Sequence, residues 1–201
     1  MDDDSQADQW VSIGTPEWTR ENHKQYLLTA LTRGEHELDN LTTVVAGSTL
    51  LEYYLRRLIA LKLNVEMLEP SDGNSFEFSA LVRLAQALDL LPDSIKKPLK
   101  AVMALRNKYA HQIAYQLQES DIKKLRKAVS DTWMEEDWEQ LEAGPPDQLS
   151  PPDRTLGFQL RAAFVCIADA LFDYIDYRSG NRSAGEIIRD GFEDSTADLG
   201  E

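Results

Sequence analysis

The sequence predicts an all-α protein, an irregular bundle of about six helices within one domain. Three observations carry that prediction. Leu, Ala, Glu and Lys are common, while aromatic residues make up only 8% of the chain, a balance that favours helix over strand. Apolar residues recur at spacings of three and four through the interior of the chain, and no alternating strand pattern occurs. A length of 201 residues supports one domain with a sizeable core, and neither an internal repeat nor a long heptad run divides it.

The elements follow in order. Residues 1–14 are acidic and polar and are expected to be disordered, ending at the helix-start signal Gly14-Thr15-Pro16. A first helix is expected over 17–31, and Arg33-Gly34 breaks it. A long helix over 36–63 would bury Leu41, Val44, Leu51, Leu55, Leu58 and Ile59. Glu69-Pro70-Ser71-Asp72-Gly73-Asn74 reads as a turn-rich loop. Phe78, Leu81, Val82, Ala85 and Leu88 form the stripe of a short helix that stops before Pro92. The next helix, over 93–115, carries Ile95, Leu99, Val102, Tyr109 and Ile113 at core spacing, with Pro98 in its first turns.

Ser120 is a good N-cap for a helix over 121–142 that turns Ile122, Leu125, Val129 and Trp133 inward. Gly144-Pro145-Pro146 through Pro151-Pro152 is a rigid connector. The last long helix, over 153–178, buries Leu156, Leu160, Phe164, Ile167, Leu171 and Ile175. Residues 179–201 turn polar and acidic and are expected to be disordered, with Ile187-Ile188 and Phe192 as one weak amphipathic patch. The helical domain thus covers 15–178.

Composition narrows the function classes. The single cysteine, Cys166, lies in an apolar run and reads as a small buried hydrophobe, which leaves no intrachain disulfide and no multi-thiolate metal site. An acidic N-terminus and the absence of about 20 consecutive apolar residues argue against a signal peptide and a membrane span, so a cytoplasmic location is expected. The net charge of −14 opposes non-specific binding to nucleic acid or anionic membrane by the molecule as a whole. Its distribution is uneven. Residues 96–127 hold nine basic and two acidic side chains, a net +7, so the remainder carries −21. Lys123, Lys124 and Lys127 also fit a merely solvated helix face, and the acidic C-terminus has the charge either to cover this segment or to stay solvated.

No Gly-rich phosphate loop, hydrolase motif or helix-turn-helix is present, so no cofactor and no direct sequence-specific DNA binding are expected. His23, His36 and His111 lie on different segments, and no metal site is expected. The conspicuous feature is Arg106-Asn107-Lys108-Tyr109-Ala110-His111. Continuing the core spacing from Val102 lands on Arg106, and a guanidinium in an apolar stripe needs a carboxylate, a phosphate or an oligomer seam. Asn107 and His111 point the same way together with Ala104 and Lys100. Arg106 and His111 diverge by about 140° on an ideal helix. They converge on one ligand only if the helix frays or two copies meet across a dyad.

Arg106-Asn107-x-x-x-His111 at a helix end resembles the Arg-x4-6-His motif of the HEPN superfamily of small helical proteins. A closer resemblance is to the mannitol-repressor (MltR) family within that group. It is carried by Leu50-Leu51-Glu52-Tyr53-Tyr54-Leu55-Arg56-Arg57-Leu58, by Phe78-Ser79-Ala80-Leu81-Val82-Arg83-Leu84-Ala85-Gln86-Ala87-Leu88-Asp89-Leu90-Leu91, and by Met103-Ala104-Leu105 running into the Arg106 motif. It covers roughly residues 36–178, and Asp89 stands where family members usually carry a glycine.

The resemblance implies one of two functions. MltR-type proteins resemble regulators without a DNA-binding domain, acting by dimerisation and through a protein partner, in transcriptional or stress regulation. HEPN nucleases of toxin or defence type cleave RNA without metal, usually as dimers, and here an antitoxin would be the partner. In that chemistry His111 would serve as general base or acid, Arg106 would bind the scissile phosphate, and Asn107 would orient either group. Lys100 or Lys108 would bind flanking phosphates. The structural alternative makes Glu52 the partner of Arg106, tying two helices, and makes His111 a cap favoured by the helix dipole. The nuclease reading expects Arg106 and His111 exposed in one groove with Lys100 and Lys108. The structural reading expects Arg106 buried on Glu52.

Overall fold

A computed structural model of the chain describes residues 40–65, 77–130, 132, 134, 138, 139 and 155–180. Among these residues all regular structure is helical: α1 (Asn40–Leu63), α2 (Phe78–Ala87), α3 (Asp93–His111), α4 (Glu119–Ser130) and α5 (Leu156–Arg178). The expected helix over 17–31, the loop at 69–74, Trp133, the proline connector and both acidic termini lie outside the described residues.

α1 and α5 form the centre. Every α1 residue from 50 to 60 is buried or half-buried, and α5 buries Ala162, Ala163, Cys166, Ala168 and Ala170 beside its larger apolar residues. The two helices run parallel, since Asn40 meets Gly157, Gly47 meets Phe164 and Tyr54 meets Phe172. Their close approach depends on Gly47. A Cβ built there would lie 2.3 Å from an atom of the Phe164 ring. Thr155 caps α5, its Oγ1 accepting from the Phe158 amide at 3.2 Å.

The turn leaving α2 is closed by two backbone bonds. Leu90 N–H donates to Ala85 O at 2.9 Å and Asp89 N–H to Gln86 O at 3.0 Å, with Asp89 at φ 52. This is a Schellman closure, whose left-handed position favours glycine and tolerates Asp. The turn sends α3 back along α2, so that Arg106 near the end of α3 reaches Phe78 at the start of α2. α3 and α4 then pack on each other, and both rest on α5.

Several sequence expectations shift. Leu41 is 42% exposed rather than buried, because the inward side of α1's first turn is taken by Thr43 and Val44. α3 ends at His111, not at 115, so Ile113 falls in the following turn and is fully exposed. The buried stripe of α3 is Ile95, Pro98, Leu99, Val102 and Leu105. Ile95, Leu99 and Val102 lie where their spacing places them, and the stripe then steps three residues to Leu105 rather than four to Arg106. Leu105 is the core residue, and Arg106 stands at the stripe's edge. α4 begins at Glu119, with Gln118 O accepting from Asp121 N–H at 2.9 Å, so Ser120 is inside the helix and not its cap. Leu156 and Leu88 are half-buried.

Candidate functional site

The site is built at the C-terminal end of α3, where three helices meet. Arg106 Nη2 lies 2.9 Å from Glu52 Oε1 on α1, and Arg56 Nη2, one turn along α1, lies 4.0 Å from Glu52 Oε2. The guanidinium carbon sits 5.7 Å from the centroid of the buried Phe78 ring. Arg106 therefore joins α1, α2 and α3 through one side chain. Its side chain keeps 38% exposure while that of Glu52 keeps 15%, so the carboxylate is the more enclosed partner. Glu52 Oε1 receives no in-line hydrogen bond among the described residues, which makes the contact an ion pair rather than a bidentate clamp. Burial pushes the Glu52 carboxyl above its ordinary range, against the opposing pull of Arg106 and Arg56.

Lys108 is engaged rather than free. Its Nζ donates to Asp121 Oδ1 and lies 3.3 Å from the Tyr115 hydroxyl. Tyr115 Oη donates to Asp121 Oδ2, and the Gln118 amide donates to the same oxygen at 3.1 Å. Asp121 is thus a nearly buried carboxylate holding the end of α3, the following turn and the first turn of α4. Its reach back to Gln118 N–H is one half of a capping box. Burial alone would raise its pKa, but Lys108, Tyr115 and the Gln118 amide outweigh burial and hold it below the ordinary value. The same bond to Asp121 raises the pKa of Lys108. Tyr109 packs edge-on to Tyr115, ring centroids 5.0 Å apart.

Lys100, Ala104, Asn107 and His111 are all exposed and spaced four, three and four apart, so they form one outer stripe of α3. His111, in the last turn of α3, makes no side-chain hydrogen bond to a described residue. Beyond it the chain turns through Gln112, Ile113 and Ala114, with Tyr115 N–H donating to Gln112 O at 3.2 Å and Ala114 at φ 58. Ile113 shows 102% relative exposure. The structure thus brings Asn107, His111 and Lys100 to one face and directs Arg106 to Glu52 at its edge. Lys108 turns toward α4.

Sequence reasoning missed Asp121 and Tyr115 as members of this site. The signal was present: a lone Asp three residues after a loop end, in the pattern of a capping box, with a Tyr between it and the motif. Among the described residues no three His, Cys, Asp or Glu side chains gather as a metal site would require, and no helix is long and apolar enough to cross a membrane. No protein-family model, curated protein or solved structure matches the chain.

Proposed function

We propose that the chain is an MltR-like regulatory protein of HEPN type, acting by dimerisation and through a protein partner that docks on the outer face of α3. The observation that carries this reading is the division of labour at the helix end. Arg106 is engaged by Glu52 and Lys108 by Asp121, while the exposed stripe of Lys100, Ala104, Asn107 and His111 runs out onto the bare side chain of Ile113. An apolar side chain rimmed by polar ones is the pattern of an interface anchor. The test is the solution mass by light scattering at rising protein concentration. The wild type is expected to be dimeric, and Ile113→Asp with Asn107→Glu is expected to be monomeric with unchanged helicity. A wild type that stays monomeric throughout removes the dimer from the proposal.

A second reading is supported by the joint exposure of Asn107 and His111 beside Lys100, with Arg106 still part-exposed: a metal-independent endoribonuclease. Here a neutral His111 would take the ribose 2′-hydroxyl proton. Incubation with mixed single-stranded RNAs in EDTA separates the two. Cleavage leaving 2′,3′-cyclic phosphate ends, abolished by His111→Ala, replaces the regulatory reading with this one.

A further inference from the structure

We propose that Ile113 of each chain packs on the first three turns of α1 in a second copy, across Leu41, Val45 and Thr49, so that two identical contacts form about one two-fold axis. The inference rests on the dimer reading above and names the surface that its anchor meets.

The receiving face is the uncharged outer side of α1. Between Asp39 and Glu52 the sequence carries no charged residue, in a chain of which 28% is charged. Leu41, Thr42, Val45 and Thr49 are the exposed residues of that stretch. Leu41, Val45 and Thr49 follow one another at four-residue spacing along one side of the helix. Val45 keeps 53% of its surface. The Thr49 hydroxyl donates to Val45 O at 2.9 Å, so its polar group is already satisfied within the helix. Depletion of charge among exposed apolar groups marks the centre of an interface.

Ile113 stands at the same end of the molecule as that face. Ile59 lies about five turns beyond Leu41 and points the same way, yet it is fully buried. Besides α5, the helices that pack on α1 are α2 and α3, so these two lie along its second half and leave its first turns open. Arg106 meets Glu52, and α3 runs from Asp93 to His111, so its longer arm lies before Arg106. That longer arm follows the covered half of α1, and the shorter arm runs toward Val45. α1 and α3 are therefore antiparallel. Val45 is about 10 Å from Glu52 along α1, and His111 is about 8 Å beyond Arg106 along α3. Ile113 follows on a turn fixed by the bonds of Asp121 to Lys108, Tyr115 and Gln118.

That placement fits a second copy. A two-fold contact repeats each pairing in both directions and closes only when both halves lie on one side of the chain. Ile113 and Val45 meet that condition. The other exposed large apolar residues among those described, Leu61, Leu63 and Val65, lie at the far end of α1. Leu63 is about 27 Å from Val45 along the helix, and pairing with it would build an open chain of copies. Charge agrees. Two molecules of net charge −14 approach at least cost where neither shows an acid. The first three turns of α1 have none, and the last turn of α3 adds the bases Lys108 and His111 and no acid.

The test uses the full chain. Val45→Asp, at an exposed position, is expected to weaken the dimer about thirtyfold, read by light scattering over a dilution series. Leu63→Asp is expected to leave it unchanged. Cross-links locate the contact. Ile113→Cys is placed on isotopically heavy chains and Val45→Cys on light ones, with wild type, whose Cys166 is buried, as the blank. Oxidation of the mixture is expected to join heavy chains to light ones. Each variant alone is expected to stay unlinked, since cysteines more than about 7 Å apart at Cα do not bridge. Linkage by Ile113→Cys alone sets Ile113 against its own counterpart and overturns the proposal. Linkage of Ile113→Cys to Leu63→Cys, with masses that grow past two chains, overturns it in favour of head-to-tail association. A dimer that survives Val45→Asp and gives no heavy-to-light link retains the dimer reading and removes this inference. A wild type that is monomeric at every concentration removes both.

Discussion

Asp121 shows what a single residue contributes at this site. Its carboxylate is nearly buried and receives an ammonium, a phenol hydroxyl and a backbone amide from three successive parts of the chain. Such a group stabilises only as a complete set, because removing it strands three donors whose solvation was given up on folding. Asp121→Ala is therefore expected to lower unfolding free energy by about 2–4 kcal/mol, measured by urea denaturation. Lys108→Met should cost less, since that side chain is 30% exposed. Faster amide exchange over 112–118 in Asp121→Ala would locate the loss at the turn carrying Ile113. The contrast with Glu52 explains what was legible in the sequence. A lone acid in the apolar run of α1 and a lone base beside the apolar stripe of α3 are conspicuous, so Glu52 could be named as the partner of Arg106, and the two stand 2.9 Å apart. Lys108 and Asp121 sit in polar surroundings thirteen positions apart. Their meeting depends on how tightly the chain turns after His111, which no periodicity encodes.

At the scale of elements the central pair of helices is set by one glycine. The backbone of α1 passes so close to α5 that a Cβ on Gly47 would sit 2.3–2.7 Å from three atoms of the Phe164 ring. Gly47→Ala must push the ring out of its rotamer or the helices apart. It is expected to cost about 3 kcal/mol, at the upper end of overpacking effects. Phe164→Leu in the same chain should recover part of that loss, and a double-mutant cycle on urea midpoints reads the coupling. No coupling would mean that the contact does not set the helix spacing. The existence and order of the described helices were readable from apolar spacing and from the breaks at Asn74 and Pro92. Their ends were not. α3 stops four residues earlier than its spacing allows, because the left-handed turn at Ala114 and the bonds to Asp121 fix the chain after His111. Beyond Val102 the buried stripe of α3 steps three residues to Leu105, whereas strict alternation of four and three lands on Arg106; a helix of 3.6 residues per turn admits either step, so spacing alone does not choose between them.

Over the whole molecule these groups combine into a stability profile against pH. Burial, opposed by Arg106 and Arg56, raises the Glu52 carboxyl above its ordinary 4.5. The folded state then holds that proton more tightly, so the stability it contributes is full below 4.5 and is lost as pH climbs through the raised value. Asp121 has the opposite sign. Although burial alone would raise it, its donors hold it below its ordinary 3.8, so its contribution is full above 3.8 and is lost as pH falls below it. Net charge adds to the alkaline limb, because −14 at pH 7 is self-repelling, whereas the sequence is near neutral at its pI of about 4.6. The urea midpoint is therefore expected to peak on the acid side of neutrality, above pH 3.8, and to decline toward pH 8. Glu52→Gln should flatten the alkaline limb and Asp121→Asn the acid one. Added salt should raise the midpoint at pH 8 and change it little near the pI, since only the former carries repulsion to screen. A maximum at neutral pH that Glu52→Gln leaves untouched would show that the Arg106 pair holds the carboxylate more strongly than burial penalises it. Arg106 would then be a strongly stabilising tie between α1 and α3, and its replacement would cost the fold more than it costs any partner.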